Sequence, residues 1–171
     1  LGGGVSLLSA WMPLITAINP ENKFAAHLPI YPPCIAQPEN LDFSDSPIHI
    51  LIGELDEWTP ALACQELTSK LQDLNYDINI TIYKDSHHSF DSLSPLSIAE
   101  NGYSLTDCHF KIRSDGAVLM NFLKVPMVYP ILQKVALAFC ADRGPTFGGN
   151  KNAREEAFKF SKSFMSKYLL E

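Results

Sequence analysis

The period of the apolar positions changes along the chain, and the changes mark its elements. Val5, Leu8, Trp11 and Met12, with Leu7 alongside, recur every three or four residues. That spacing predicts a helix over 4–12, ended or kinked by Pro13. The glycines before it allow close packing where it begins. Residues 24–31 (FAAHLPIY) read as a buried strand, weakened by Pro29 and stopped by Pro32-Pro33-Cys34, and 35–46 are polar and turn-rich. Ile48, Ile50, Leu51 and Ile52 form a nearly continuous apolar run, as expected of a strand buried on both faces of a parallel sheet. Thr59 and Pro60 then predict a helix start, a capping hydroxyl followed by proline at the first helical position. Ala63, Cys64, Leu67, Leu71 and Leu74 line one face of an amphipathic helix running to about Asp73. Ile78, Ile80 and Ile82 alternate with Asn79, Thr81 and Tyr83, the pattern of an edge strand.

Beyond residue 91 the pattern is less regular. Cys108, Phe110 and Ile112 alternate with polar residues, and Ser114-Asp115-Gly116 follows, which predicts a hairpin within 106–120. Residues 129–140 are apolar with helical spacing, and 143–150 read as a glycine-rich loop. Asn152 with Glu155 resembles a capping box. Ala153, Ala157, Phe160, Phe164 and Tyr168 then line one face of a closing helix. Helix, strand, loop, strand, helix, strand is an α/β layout with a parallel sheet.

Composition narrows the partners. The chain has 171 residues, 46% of them apolar and 19% charged, enough for one globular domain with a real core. Its formal charge is −6, with no basic patch, which argues against nucleic acid and against an anionic membrane surface. The longest apolar stretch, 5–18, is interrupted by serines, a threonine and Pro13 and is too short to span a bilayer. It has no positively charged flank and does not read as a signal peptide. The four cysteines lack zinc spacing, so no metal is expected. The 143–149 run is not followed by Gly-Lys-Ser/Thr, so it carries no phosphate-loop signature, and no cofactor is expected.

Two polar loops carry the candidate chemistry. Glu54, Asp56, Glu57 and Trp58 follow Gly53 at the carboxyl end of the 48–52 strand. His87 and His88 lie in the loop (84–91) that leaves the next strand. Ligand sites of open α/β sheets are built at that edge; the alternative is a solvated acidic turn. An Asp and a His at consecutive strand ends are two members of a nucleophile–His–acid triad, in the chain order of α/β-hydrolases. Leu1-Gly2-Gly3 leading into an apolar helix looks like the tail of the G-x-S-x-G nucleophile elbow, so the nucleophile is expected just before Leu1.

The motifs Gly53-Glu54-Leu55-Asp56 and His88-Ser89-Phe90-Asp91, with Leu1-Gly2-Gly3, resemble the carboxyl-terminal half of the dienelactone hydrolase family. The resemblance implies the carboxyl-terminal part of an α/β-hydrolase fold. Residues 1–91 would be the core after the elbow, 92–150 an insertion containing the hairpin, and 151–171 the closing helix. It implies Asp56 as the triad acid and His88 as the base, chosen over His87 by the H-x-F-D spacing, with Ser or Cys as nucleophile. The expected reaction is hydrolysis of a small-molecule ester or lactone through an acyl-enzyme, with the Leu1 N–H as one oxyanion donor. The amino-terminal half of the same fold is an expected companion, since three parallel strands leave an exposed edge, and the 171 residues alone are expected to be inactive. A non-catalytic binding module on a hydrolase scaffold and a prolyl oligopeptidase-type peptidase remain open alternatives. The residue upstream of Leu1 separates the first, and substrate profiling the second.

Tyr31 and Trp58 are candidates for lining a pocket at the strand ends or for packing. Glu54 is a candidate buried partner of the loops, Glu57 reads as solvent-facing, and His27, His49 and His109 read as structural. Proximity on the sheet edge suggests a Cys34–Cys64 bridge, and a Cys108–Cys140 bridge would close the insertion; four reduced thiols are the alternative. Bridges would imply an exported protein, periplasmic or secreted, and thiols a cytoplasmic one.

Overall fold

The computed structural model describes residues 2–21, 23–120 and 123–170. In chain order its elements are α1 (Gly2–Leu8), α2 (Met12–Ile18), β1 (Ala36–Pro38), β2 (Ile48–Gly53), α3 (Ala61–Asp73), β3 (Ile78–Tyr83), β4 (Ser97–Ile98), β5 (Tyr103–Ser104), β6 (Phe110–Ile112), β7 (Val118–Leu119), α4 (Pro130–Ala138), β8 (Asp142–Arg143), β9 (Thr146–Phe147) and α5 (Lys151–Leu169). The content is mixed α/β.

The centre is the parallel pair β2 and β3, in register from Ile48 opposite Ile78 to Gly53 opposite Tyr83. Both faces of β2 are buried, which is why its apolar run is continuous. Ile48, Ile50 and Ile52 pack into one core with Leu67 and Leu71 of α3. Leu51 points the other way, into a second core with Phe90 and with Ala153 and Ala157 of α5. His49 shares that second face: its ring lies 4.3 Å from Phe160, and its Nε2 is 2.8 Å from Thr81 Oγ1. A sheet with a helix on each side thus follows from period two in β2 and period 3.6 in α3 and α5.

The expected 24–31 strand is present only in part. The His27 N–H donates to the Pro47 carbonyl and the Tyr31 N–H to Leu51, while His27 and Pro29 carbonyls accept from His49 and Leu51. Pro29 has no N–H for the ladder bond between these two, so the pairing reduces to isolated parallel bridges at His27–Ile48 and Ile30–Leu51. His27 is buried, with Nδ1 3.0 Å from Ser9 Oγ, and burial lowers its pKa. His109 is exposed.

Several other expectations are corrected. The single helix over 4–12 is two helices, because Trp11 is extended and buried between them and Pro13 sits in the first turn of α2, where its missing N–H costs nothing. The turn-rich 35–46 contains β1, which pairs in parallel with β6 of the hairpin; β6 and β7 are antiparallel. The hairpin turns at Gly116, whose φ is +84°, while Asp115 Oδ1 accepts from the Ala117 N–H at 3.0 Å. The 143–150 loop contains β9 and abuts β8, which pair antiparallel with β4 and β5. Pro60, not Thr59, is the residue before α3. Asn150 rather than Asn152 caps α5, its side chain accepting from the Asn152 and Ala153 N–H groups. Among the described residues no helix is long and apolar enough to cross a membrane.

Two disulfides pin these parts together. Cys34–Cys64 joins the loop after Tyr31 to the first turn of α3, and Cys108–Cys140 joins the start of the hairpin to the end of α4. The second closes 32 residues of a region whose strands are only two or three residues long. In the chain-entropy account such a link contributes about 3–4 kcal/mol. A Cys108→Ser/Cys140→Ser variant is expected to lose about that much in urea unfolding. An unchanged midpoint would contradict it.

Candidate active site

The site begins where β2 ends. Gly53 is required there, because a Cβ at this position would lie 2.3 Å from the Ser86 carbonyl oxygen and 2.9 Å from that of His87. The loop after β2 and the loop after β3 therefore touch backbone to backbone. The Glu54 N–H donates to the Tyr83 carbonyl and the Leu55 N–H to Ser86. That contact brings the side chains of Asp56 and His88 together.

His88 Nδ1 donates to Asp56 Oδ2 at 2.8 Å. The carboxylate has three further donors. Its Oδ1 accepts from the Trp58 N–H at 2.9 Å and the Thr59 N–H at 2.8 Å, and its Oδ2 from the Thr59 hydroxyl at 2.9 Å. Asp56 is fully buried at the side chain and His88 is 16% exposed, so the pair sits at the edge of solvent with the carboxylate inside. A buried carboxylate with this many donors keeps its orientation and presents one oxygen to the imidazole. The Thr59 hydroxyl, expected to cap α3, is spent on Asp56 instead and lies 3.3 Å from His88 Nδ1.

Two aromatic rings flank the imidazole. The Tyr31 ring is 4.5 Å from it and the Trp58 ring 4.9 Å, edge on. Tyr31 has a left-handed backbone, φ +39°, uncommon for a bulky residue. Its hydroxyl donates to Asp91 Oδ1 at 3.3 Å. Burial first, then the negative charge of Asp91 and Asp56, pushes its pKa up to about 12, so it stays protonated. Trp58 stacks on Phe147 at 5.5 Å. Beside His88, Tyr31 and Trp58 opens a cavity of about 690 Å³.

Residues from the far end of the chain hold the histidine loop from behind. The Gly148 N–H donates to the His88 carbonyl and the Asn150 N–H to Phe90. Asn150 Nδ2 also donates to the Asp85 carbonyl and to Ser86 Oγ. Phe147, Gly148 and Asn150 were not singled out in the sequence, beyond the glycine-rich loop and the helix-start signal near Asn152, and Thr59 was read there only as a helix cap. His87 stands outside the pair, with Nδ1 3.1 Å from the Leu55 carbonyl.

Glu54 is exposed, contrary to expectation, and accepts from the Asp85 N–H at 3.0 Å, so it fastens the two loops from the outside. Glu57 is half-buried instead of solvent-facing, because its Oε2 accepts from the Thr146 N–H at 2.9 Å and anchors β9. Leu1 lies outside the described residues. Near it, α1 presses on the 27–31 segment: a Cβ on Gly3 would fall 2.0 Å from the Ile30 carbonyl oxygen.

The arrangement holds one imidazole nitrogen on a buried carboxylate and leaves the other available to exchange a proton. The model of the dienelactone hydrolase family matches residues 9–107, a span that includes both Asp56 and His88. Among solved structures, a crystal structure of esterase PE8 aligns with 24% identity over 40% of this chain, at a TM-score of 0.34. The alignment spans 33% of that esterase. No curated protein matches the chain. With more than half of its length matched by the family model, the chain belongs to the dienelactone hydrolase family.

Proposed function

We propose that the protein is a carboxylic ester or lactone hydrolase, and that Asp56 and His88 are the acid and base of a nucleophile–His–Asp triad. The observation that carries this reading is the 2.8 Å bond between them at the ends of two consecutive parallel strands. On this reading the chain is the carboxyl-terminal part of an α/β-hydrolase fold, with 92–150 inserted before the closing helix. The nucleophile, Ser or Cys, precedes Leu1 at the start of α1, and the Leu1 N–H is one oxyanion donor. The two disulfides suit a periplasmic or secreted protein.

The chemistry follows from the pair. His88 Nε2 takes the proton of the nucleophile as its oxygen or sulfur attacks the substrate carbonyl carbon. Asp56 holds the Nδ1–H tautomer and stabilises the imidazolium. The tetrahedral intermediate collapses, the carbon–oxygen bond to the leaving group breaks, and His88 gives its proton to the departing oxygen. Water, deprotonated by the same nitrogen, then resolves the acyl-enzyme.

The test uses the full-length polypeptide, including the segment before Leu1, and p-nitrophenyl acetate. Steady hydrolysis is expected, with one acetyl group found on the protein by mass spectrometry after an early acid quench. Absence of hydrolysis would overturn the reading.

A further inference from the structure

We infer that the cavity beside His88 is the seat of a large, neutral, apolar group of the substrate, and that the protein discriminates against esters carrying a negative charge there. The inference rests on the hydrolase reading and names the substrate class for it.

Three observations carry it. First, the cavity is lined by Val5, Leu8, Tyr31, Pro33, Trp58 and Leu105 among others, and among the described residues no Asp, Glu, Lys or Arg is in its lining. Its volume of about 690 Å³ lies in the range of small-molecule sites. Second, apart from His88, each of its polar side chains already has a partner in the protein. The Thr59 hydroxyl donates to Asp56, the Tyr31 hydroxyl donates to Asp91, and the Tyr103 hydroxyl accepts from Arg143 Nη2 at 3.1 Å. Third, the Arg143 guanidinium, which touches Tyr103, is already engaged: it sits 3.9 Å over the Tyr103 ring and donates to the Asn101 carbonyl at 2.7 Å. A carboxylate in this cavity would lose water and find no counter-charge, whereas a hydrocarbon chain or ring would gain apolar burial.

The 92–150 segment acquires a role from this. Gly102, Tyr103 and Leu105 line the cavity together with Gly4, Val5 and Leu8 of α1. Gly102 is packed so closely that a Cβ there would lie 3.2 Å from the Trp58 ring. The segment therefore shapes the substrate pocket and sets its polarity.

The experiment compares two acyl groups of equal length on the full-length polypeptide: p-nitrophenyl hexanoate and the singly charged p-nitrophenyl half-ester of adipic acid, each corrected for its spontaneous hydrolysis. The neutral ester is expected to have a kcat/KM at least about 100-fold higher. In Val5→Arg, a change at an exposed helix position on the rim, that preference is expected to shrink by about fivefold or more as the charged ester gains a partner. Equal turnover of the two esters by the wild type would overturn the inference while leaving the hydrolase reading intact, and so would a preference untouched by Val5→Arg. Hydrolysis of neither ester would instead strike the hydrolase reading itself, and this inference with it.

Discussion

Replacing His88 with alanine is expected to lower kcat for a p-nitrophenyl ester by on the order of 10⁴-fold or more in the full-length polypeptide. No other imidazole can substitute. His87 is the neighbour in sequence, but its ring turns to the Leu55 carbonyl on the outer side of the loop. His27 and His49 are packed against Ser9 and Phe160 within the fold, and His109 lines a separate cavity with Gln37 and Lys70. The variant should remain folded. Asp56 keeps its three donors from Trp58 and Thr59, so losing one charge-assisted bond costs about 1–3 kcal/mol and not the fold. Turnover should return in part when free imidazole is added to the gap between Tyr31 and Trp58. Wild-type turnover in the variant would remove His88 from the mechanism.

Asp56→Asn is expected to be nearly as damaging, about 10⁴-fold in kcat, although it alters no atom's position. The reason is which donors surround the carboxylate. Two backbone N–H groups, of Trp58 and Thr59, point at Oδ1 and demand an acceptor. The amide oxygen must take that place, since the opposite rotamer would set NH₂ against two N–H groups. The NH₂ is then directed at His88 Nδ1. A donor there selects the imidazole tautomer with its proton on Nε2, which cannot accept one from a nucleophile. A folded variant with lost turnover is the expected signature, destabilised by about 1–3 kcal/mol because the Thr59 hydroxyl loses its carboxylate acceptor. Wild-type activity would mean that Asp56 does not hold the tautomer.

How much of this was legible in the sequence depended on where the stabilising contacts of each element come from. β2, α3 and β3 were legible because burial writes its period into them: Ile48, Ile50 and Ile52 face α3 while Leu51 faces α5. The hairpin was legible from Asp115-Gly116, whose turn is closed by the Asp115 side chain. β1 was not, since Ala36-Gln37-Pro38 has no strand pattern and is held by β6, more than seventy residues away. The two-residue strands at 142–147 looked like loop because their partners lie at 97–104 and their own residues have no periodicity. At the candidate site, Asp56 and His88 stood out because each occupies a strand end. Thr59 was misread for a local reason: a hydroxyl before a proline reads as a helix cap that accepts from N–H groups, whereas a buried carboxylate three residues earlier takes it as a donor. Glu57 and Asn150 found partners in segments distant in sequence, which no local pattern announces.

The unbroken register of β2 and β3 makes the strands a ruler for the two loops. Asp56 stands three residues beyond Gly53 and His88 five beyond Tyr83, and those strand ends are paired directly. Removing one residue from either strand would shift its loop by about 3.3 Å, more than the 2.8 Å that separates the two side chains. It would also turn every side chain of that strand to the opposite core. The pairing of acid and base is thus far more sensitive to chain length than to side-chain identity across 48–88.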